Sequence, residues 1–113
     1  MLATSSPTKA QADWRETVRE LGSVVSGGFA EIHHCVGRTG KHNKVDIGHY
    51  WLIPLTDDEH RALHLNAEWL LRDISGYVMT RKEFEKWAFQ KVIDQTGYVI
   101  PADVYEAIMD YHR

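Results

Sequence analysis

Six of the seven histidines in this chain fall between Glu31 and His64, and their order there narrows the folds open to it. The segment reads EIHH, then a long polar loop, then the apolar run YWLIPL, then Thr56-Asp57-Asp58-Glu59 leading into His60 and His64. Thr56 and Glu59 have the spacing of a capping box, and three acids sit at the positive end of the helix that the box starts. His60 and His64, four residues apart on that helix, project from one face and can share an ion at about 2 Å from each nitrogen. Two solvated helix histidines would satisfy the same spacing. Against that stands the pair His33-His34: neighbours on a strand point to opposite sides, so one can face an ion while the other does something else.

The flanking chain reads as support for this segment. Ser6 as a cap and Pro7 in the first turn open a helix that Gly22 closes, with Trp14, Val18 and Leu21 on one face. Ser23 to Ser26 and Phe29 to Cys35 read as two short strands joined by Gly27-Gly28, a β-hairpin that delivers the histidine pair. Val36 to Gly48 is too rich in turn formers for regular structure, and its Arg38, Lys41 and Lys44 suit contact with a phosphate backbone or simply solvation. Tyr50 to Leu55 is a short strand that Pro54 confines to an edge or an end. Ala67 to Ile74 continues helical until Gly76 breaks it. A second capping box, Thr80 to Glu83, begins a helix to about Gln95 with Phe84, Trp87, Val92 and the smaller Ala88 inward, stopped by Gly97. Pro101 precedes a last helix striped by Val104, Ile108 and Tyr111. Trp69 and Trp87 are expected in the core, Trp51 is open between core and a base-stacking role, and Cys35 reads as a small buried strand residue. His112 is expected to be inert.

A chain of 113 residues, 43% hydrophobic, is expected to form one domain, residues 1–113, with a core finger over about 23–65 and a helical extension over 66–113. The fold class is α+β. The formal net charge of -3 argues against gripping nucleic acid by bulk electrostatics, so any DNA contact must be local or assisted by a partner. The single cysteine forbids an internal disulfide, no run approaches a membrane span, and a cytoplasmic location is expected.

The order EIHH, loop, apolar strand and H-x-x-x-H helix resembles the HNH, or ββα-metal, endonuclease motif. Gly37-Arg38-Thr39-Gly40 in the loop and His49-Tyr-Trp-Leu-Ile-Pro-Leu55 before the helix are most similar to phage nucleases of the recombination-enhancement (Ref) type, which act with RecA filaments; a phage HNH group of unassigned role is nearly as similar. The resemblance covers roughly Ser23 to His64. It implies a small ββα-metal finger flanked by helices, a DNA partner, a RecA filament as a further partner, and a bacterial host cytoplasm. Carried over by position, it puts His33, His60 and His64 on a metal ion, His34 on the attacking water as general base, and His49 at the middle position of the motif, where asparagine is commoner. A loop histidine without a role fits His49 nearly as well.

The residue types suit the chemistry. Phosphodiester hydrolysis needs a base for water, which neutral imidazole provides near pH 7, and an electrophile for the phosphate, which a divalent ion provides. Three imidazoles suit zinc, yet nickel, manganese or magnesium can serve such a site, so the ion is left open. Asp46 or Glu59 could orient the imidazoles from behind, with Glu59 better explained as a cap. Many members of the superfamily also carry a structural zinc on two C-x-x-C knuckles. Here Ser23-Val-Val-Ser26 and Thr56-Asp-Asp-Glu59 stand in those places, so one metal site and no structural zinc are expected. Two rivals stay open: a non-catalytic, metal-stabilised module that binds DNA or protein, and a wholly helical interaction protein without metal.

Overall fold

The computed structural model describes residues 7–111, so Ser6 and His112 lie outside the described residues. It is a small mixed α+β domain with five helices and two small antiparallel sheets among the described residues. In chain order these are α1 (Lys9–Leu21), β1 (Glu31–His34), β2 (Lys41–His42), β3 (Val45–Asp46), β4 (Leu52–Leu55), α2 (Asp57–His64), α3 (Glu68–Leu71), α4 (Arg81–Thr96) and α5 (Ala102–Asp110). No helix among them is long and apolar enough to cross a membrane.

The cap of α1 is Thr8, whose hydroxyl accepts from the Gln11 amide while the Gln11 side chain accepts from the Thr8 amide. This corrects the expected start at Ser6-Pro7: a reciprocal box satisfies two otherwise orphan donors, and Pro7 precedes it. Gly22 ends the helix as expected. Trp14 and Val18 are fully buried, and Trp14 Nε1 donates to the Tyr50 carbonyl at 2.8 Å, tying α1 to the chain just before β4.

The expected hairpin over residues 23–35 does not form. Ser23 to Ser26 is a turn, in which the Ser23 hydroxyl accepts from the Val25 and Ser26 amides, and β1 pairs with β4 instead. The register sets Ile32 opposite Pro54, His33 opposite Ile53 and His34 opposite Leu52. Leu52, Ile53 and Leu55 are all buried, whereas residues 23–26 offer no comparable apolar run for β1 to pair with. With two strands, both are edges, which is where proline is tolerated; the Pro54 carbonyl accepts from the Val24 amide at 3.3 Å.

Residues 36–48 are also more ordered than expected, because β2 and β3 form a short ribbon. Its two turn residues, Asn43 (φ 51°) and Lys44 (φ 66°), are both left-handed, the requirement of a tight type I′ turn. Asn-Lys is a weaker turn signal than Asn-Gly, which is why the ribbon is hard to read from sequence. The ribbon leans on α5 through Asp110, which pairs with His42 at 2.9 Å and accepts from the Asn43 side chain at 3.1 Å. Gly48 is obligatory here: a Cβ would lie 2.2 Å from the Arg38 carbonyl oxygen.

The Thr56 and Thr80 capping boxes both form as expected, and Gly97 closes α4 in the left-handed conformation. The helix expected over 67–74 is cut to one turn. Asp73 Oδ1 captures the amides of Ser75 and Tyr77 at 2.9 and 3.0 Å, a local alternative to continuing the helix. Tyr111 lies just beyond α5.

The core lies between β4, α1 and α4, with Trp14, Trp51, Phe84 and Phe89 as its largest members, so Trp51 is a core residue. Trp69 and Trp87 are not: they are 63% and 43% exposed. The buried stripe of α4 runs through Phe84, Glu85, Ala88, Phe89 and Val92, a phase that leaves Trp87 off it. Cys35 is buried as expected, and burial together with the Glu85 carboxylate pushes its thiol well above the usual range.

The two segments that stand in place of zinc knuckles do meet. Ser23 Oγ donates to Glu59 Oε1 at 2.5 Å across 36 residues, and the same carboxylate accepts from the Thr56 amide at 2.8 Å. Burial raises the Glu59 pKa, but these hydrogen bonds outweigh it and hold the carboxyl below its usual value. A depressed carboxyl contributes stability above its unfolded pKa of about 4.3 that is lost as pH falls through the folded value. Ser23→Ala is therefore expected to cost about 1–3 kcal/mol at pH 7, with the difference from wild type shrinking in acid, read by urea unfolding at several pH values.

Candidate metal centre

The antiparallel pairing of β1 with β4, and the immediate turn from β4 into α2, carry His33 back against the helix that holds His60 and His64. His33 Nδ1 lies 3.0 Å from His60 Nε2, and His64 Nε2 lies 3.2 Å from the same His60 nitrogen. The three rings each offer one atom to a common point, all within 4.8 Å of one another, so they could hold a metal ion. The donor set fits one. A tetrahedral ion with bonds of about 2.0–2.1 Å sets its donors about 3.3 Å apart, close to the two spacings seen. Imidazole nitrogens meeting at such distances without an ion would need a proton between them at each contact.

Two of the three rings have a carboxylate behind them. His60 Nδ1 is 3.5 Å from Glu31 Oε1, and His33 Nε2 lies 2.6 Å from Glu85 Oε2. Glu85 is fully buried, with Lys82 Nζ 2.8 Å from its other oxygen and Arg81 Nε at 3.8 Å from Oε2. Burial alone would raise its pKa; the His33 N–H and the Lys82 ammonium outweigh burial and hold the carboxyl below its usual range. His64 is pulled below its usual value by desolvation, then by the Arg81 charge and the neighbouring imidazoles, which favours the neutral, ligating ring.

His34 faces away from His33 and is half-buried. Burial lowers its pKa, and Arg15 of α1, Arg38 and His49 lower it further. His49 therefore sits near His34, as the resemblance implies, but no hydrogen bond joins them among the described residues, and the buried His49 Nε2 has no hydrogen-bond partner. The other basic candidates divide. Arg38 acts on His34, whereas Lys41 lies 3.8 Å from Asp46 within the ribbon and Lys44 occupies its turn. Asp46 is thus spent on Lys41 and Glu59 on its cap.

Glu85 and Arg15 are the residues that sequence reasoning missed. For Glu85 a signal existed: Glu85, Ala88, Phe89 and Val92 follow the i, i+3, i+4, i+7 pattern of a buried face, and an acid on such a stripe asks for a partner. Arg15 carries no such mark. Set against known protein families, curated proteins and solved structures, the chain matches none of them.

Proposed function

We propose that the protein is a metal-dependent DNA endonuclease of the HNH type, with His33, His60 and His64 as ligands and His34 as general base. The observation that carries this reading is the convergence of three imidazole nitrogens from opposite ends of the Glu31–His64 segment, beside a fourth histidine kept neutral. When bound, a divalent ion supplies Lewis-acid stabilisation to the scissile phosphate and the departing oxygen. His34 accepts the proton of the attacking water, and Arg15 and Arg38 place positive charge where a phosphate would sit. His49, with its unpartnered nitrogen, is available to orient His34 or donate to the same phosphate.

With a formal net charge of -3, the protein has no bulk attraction for DNA to rely on. The reading therefore extends to DNA presented by a partner, and the Ref-type resemblance names a RecA filament as that partner in phage recombination.

The test uses supercoiled and single-stranded DNA, with and without RecA and ATP, across zinc, nickel, manganese and magnesium. Nicking that requires one of these ions and stops with EDTA is the expected result, and RecA dependence would separate the Ref-type reading from a general nuclease. Stoichiometric metal binding without cleavage on any substrate would favour the rival, a metal-stabilised binding module. Failure to bind any of the four ions would overturn both.

A further inference from the structure

We infer that Glu85 of α4, braced by Lys82, is a positioning residue that fixes His33 with Nδ1 turned toward the metal. The inference rests on the metal-centre reading above and adds an element outside the segment that carries the histidines.

The geometry is specific. An ionised carboxylate can only accept, so the 2.6 Å contact places a proton on His33 Nε2, and in the neutral tautomer this selects, Nδ1, which faces His60, is the lone-pair nitrogen. Glu85 is itself immobilised: its side chain is fully buried, and Lys82 Nζ reaches both Glu85 Oε1 at 2.8 Å and the Cys35 carbonyl at 2.5 Å. Lys82 thus ties α4 to the end of β1, two residues past His33. Trp51 Nε1 donates to the Glu85 carbonyl at 3.3 Å and holds the helix backbone at the same level.

A competing account makes His33, Cys35 and Glu85 a second cation pocket, since they also offer atoms within 4.8 Å of one another. The ammonium of Lys82 already lies 2.8 Å from the carboxylate's other oxygen and 2.5 Å from the Cys35 carbonyl, so a positive charge is in place on that side. A hydrogen-bonded brace fits those neighbours and a second cation does not. Carboxylates behind metal-bound histidines set the tautomer and ring orientation, and their loss weakens metal binding by about 10–100-fold.

The experiment is calorimetric titration of zinc into the full chain, comparing wild type, Glu85→Gln, His33→Ala and the double variant. Glu85→Gln keeps the shape and an acceptor oxygen, and is expected to weaken zinc binding by about 10–100-fold. In the His33→Ala background the same change should have no further effect on affinity, because the ring it orients is gone. A merely structural role would lower the unfolding temperature of the metal-free protein while leaving affinity unchanged, and that result overturns the inference. Long-range proton–nitrogen NMR of wild type gives a readout independent of any variant's folding: His33 protonated at Nε2 is expected, and protonation at Nδ1 overturns it. Wild type that takes up no zinc or other ion would sink the metal centre itself. Equal zinc affinity in wild type and Glu85→Gln sinks only the role of Glu85.

Discussion

Replacing His34 with alanine is expected to reduce DNA cleavage by about 10²–10⁴-fold while leaving metal content unchanged. The two effects separate because His33 and His34 are adjacent on β1 and face opposite ways: one ring joins His60 and His64, and the other lies among Arg15, Arg38 and His49. His60→Ala is the matching control. Its nitrogen is the one that both other rings approach, so its loss should remove metal and cleavage together. Metal analysis and plasmid nicking on the same preparations check both. Wild-type nicking by His34→Ala would leave the protein a metal site without its base, and the catalytic assignment would fall.

Trp51→Ala should be the most damaging single change to stability, at about 3–5 kcal/mol. That is a large part of the roughly 5–15 kcal/mol that holds a domain of this size together. Trp51 is fully buried ahead of β4, its ring lies edge-on to Tyr111 at 5.3 Å, and the Lys82 ammonium sits 5.1 Å above it. Removing it opens a cavity between β4 and α4 and frees the Glu85 carbonyl from its hydrogen bond. Urea unfolding followed by far-ultraviolet circular dichroism measures the loss. A cost below about 1 kcal/mol would mean that the core closes over the gap, contrary to the packing described.

How much of this was legible beforehand depended on whether the deciding interaction was local. The Thr56 and Thr80 boxes are satisfied within four residues, and both helices begin where the sequence places them. His60 and His64 share a face by helix geometry alone. The partner of β1 could not be read that way, because glycines at 27 and 28 suggest a nearby turn while the better mate lies about twenty residues on. Trp87 was misplaced for a related reason: tryptophan's size argues for burial, but the phase of α4 is set by what it packs against; Trp69 sits on the single turn of α3, which buries Leu70 and Leu71 instead.

The candidate site was largely legible in one dimension: which rings are present, which two share a helix face, and that an adjacent pair on a strand points to opposite sides. These follow from covalent spacing and hydrogen bonding over a few residues. What surrounds the rings was decided only by folding. Glu85 lies 52 residues from His33 and Arg15 comes from the first helix, and neither spacing nor composition ties them to the histidines. They arrive because α1 and α4 bury their apolar faces on β4, and burial, which has no direction in sequence, brings their polar neighbours with it.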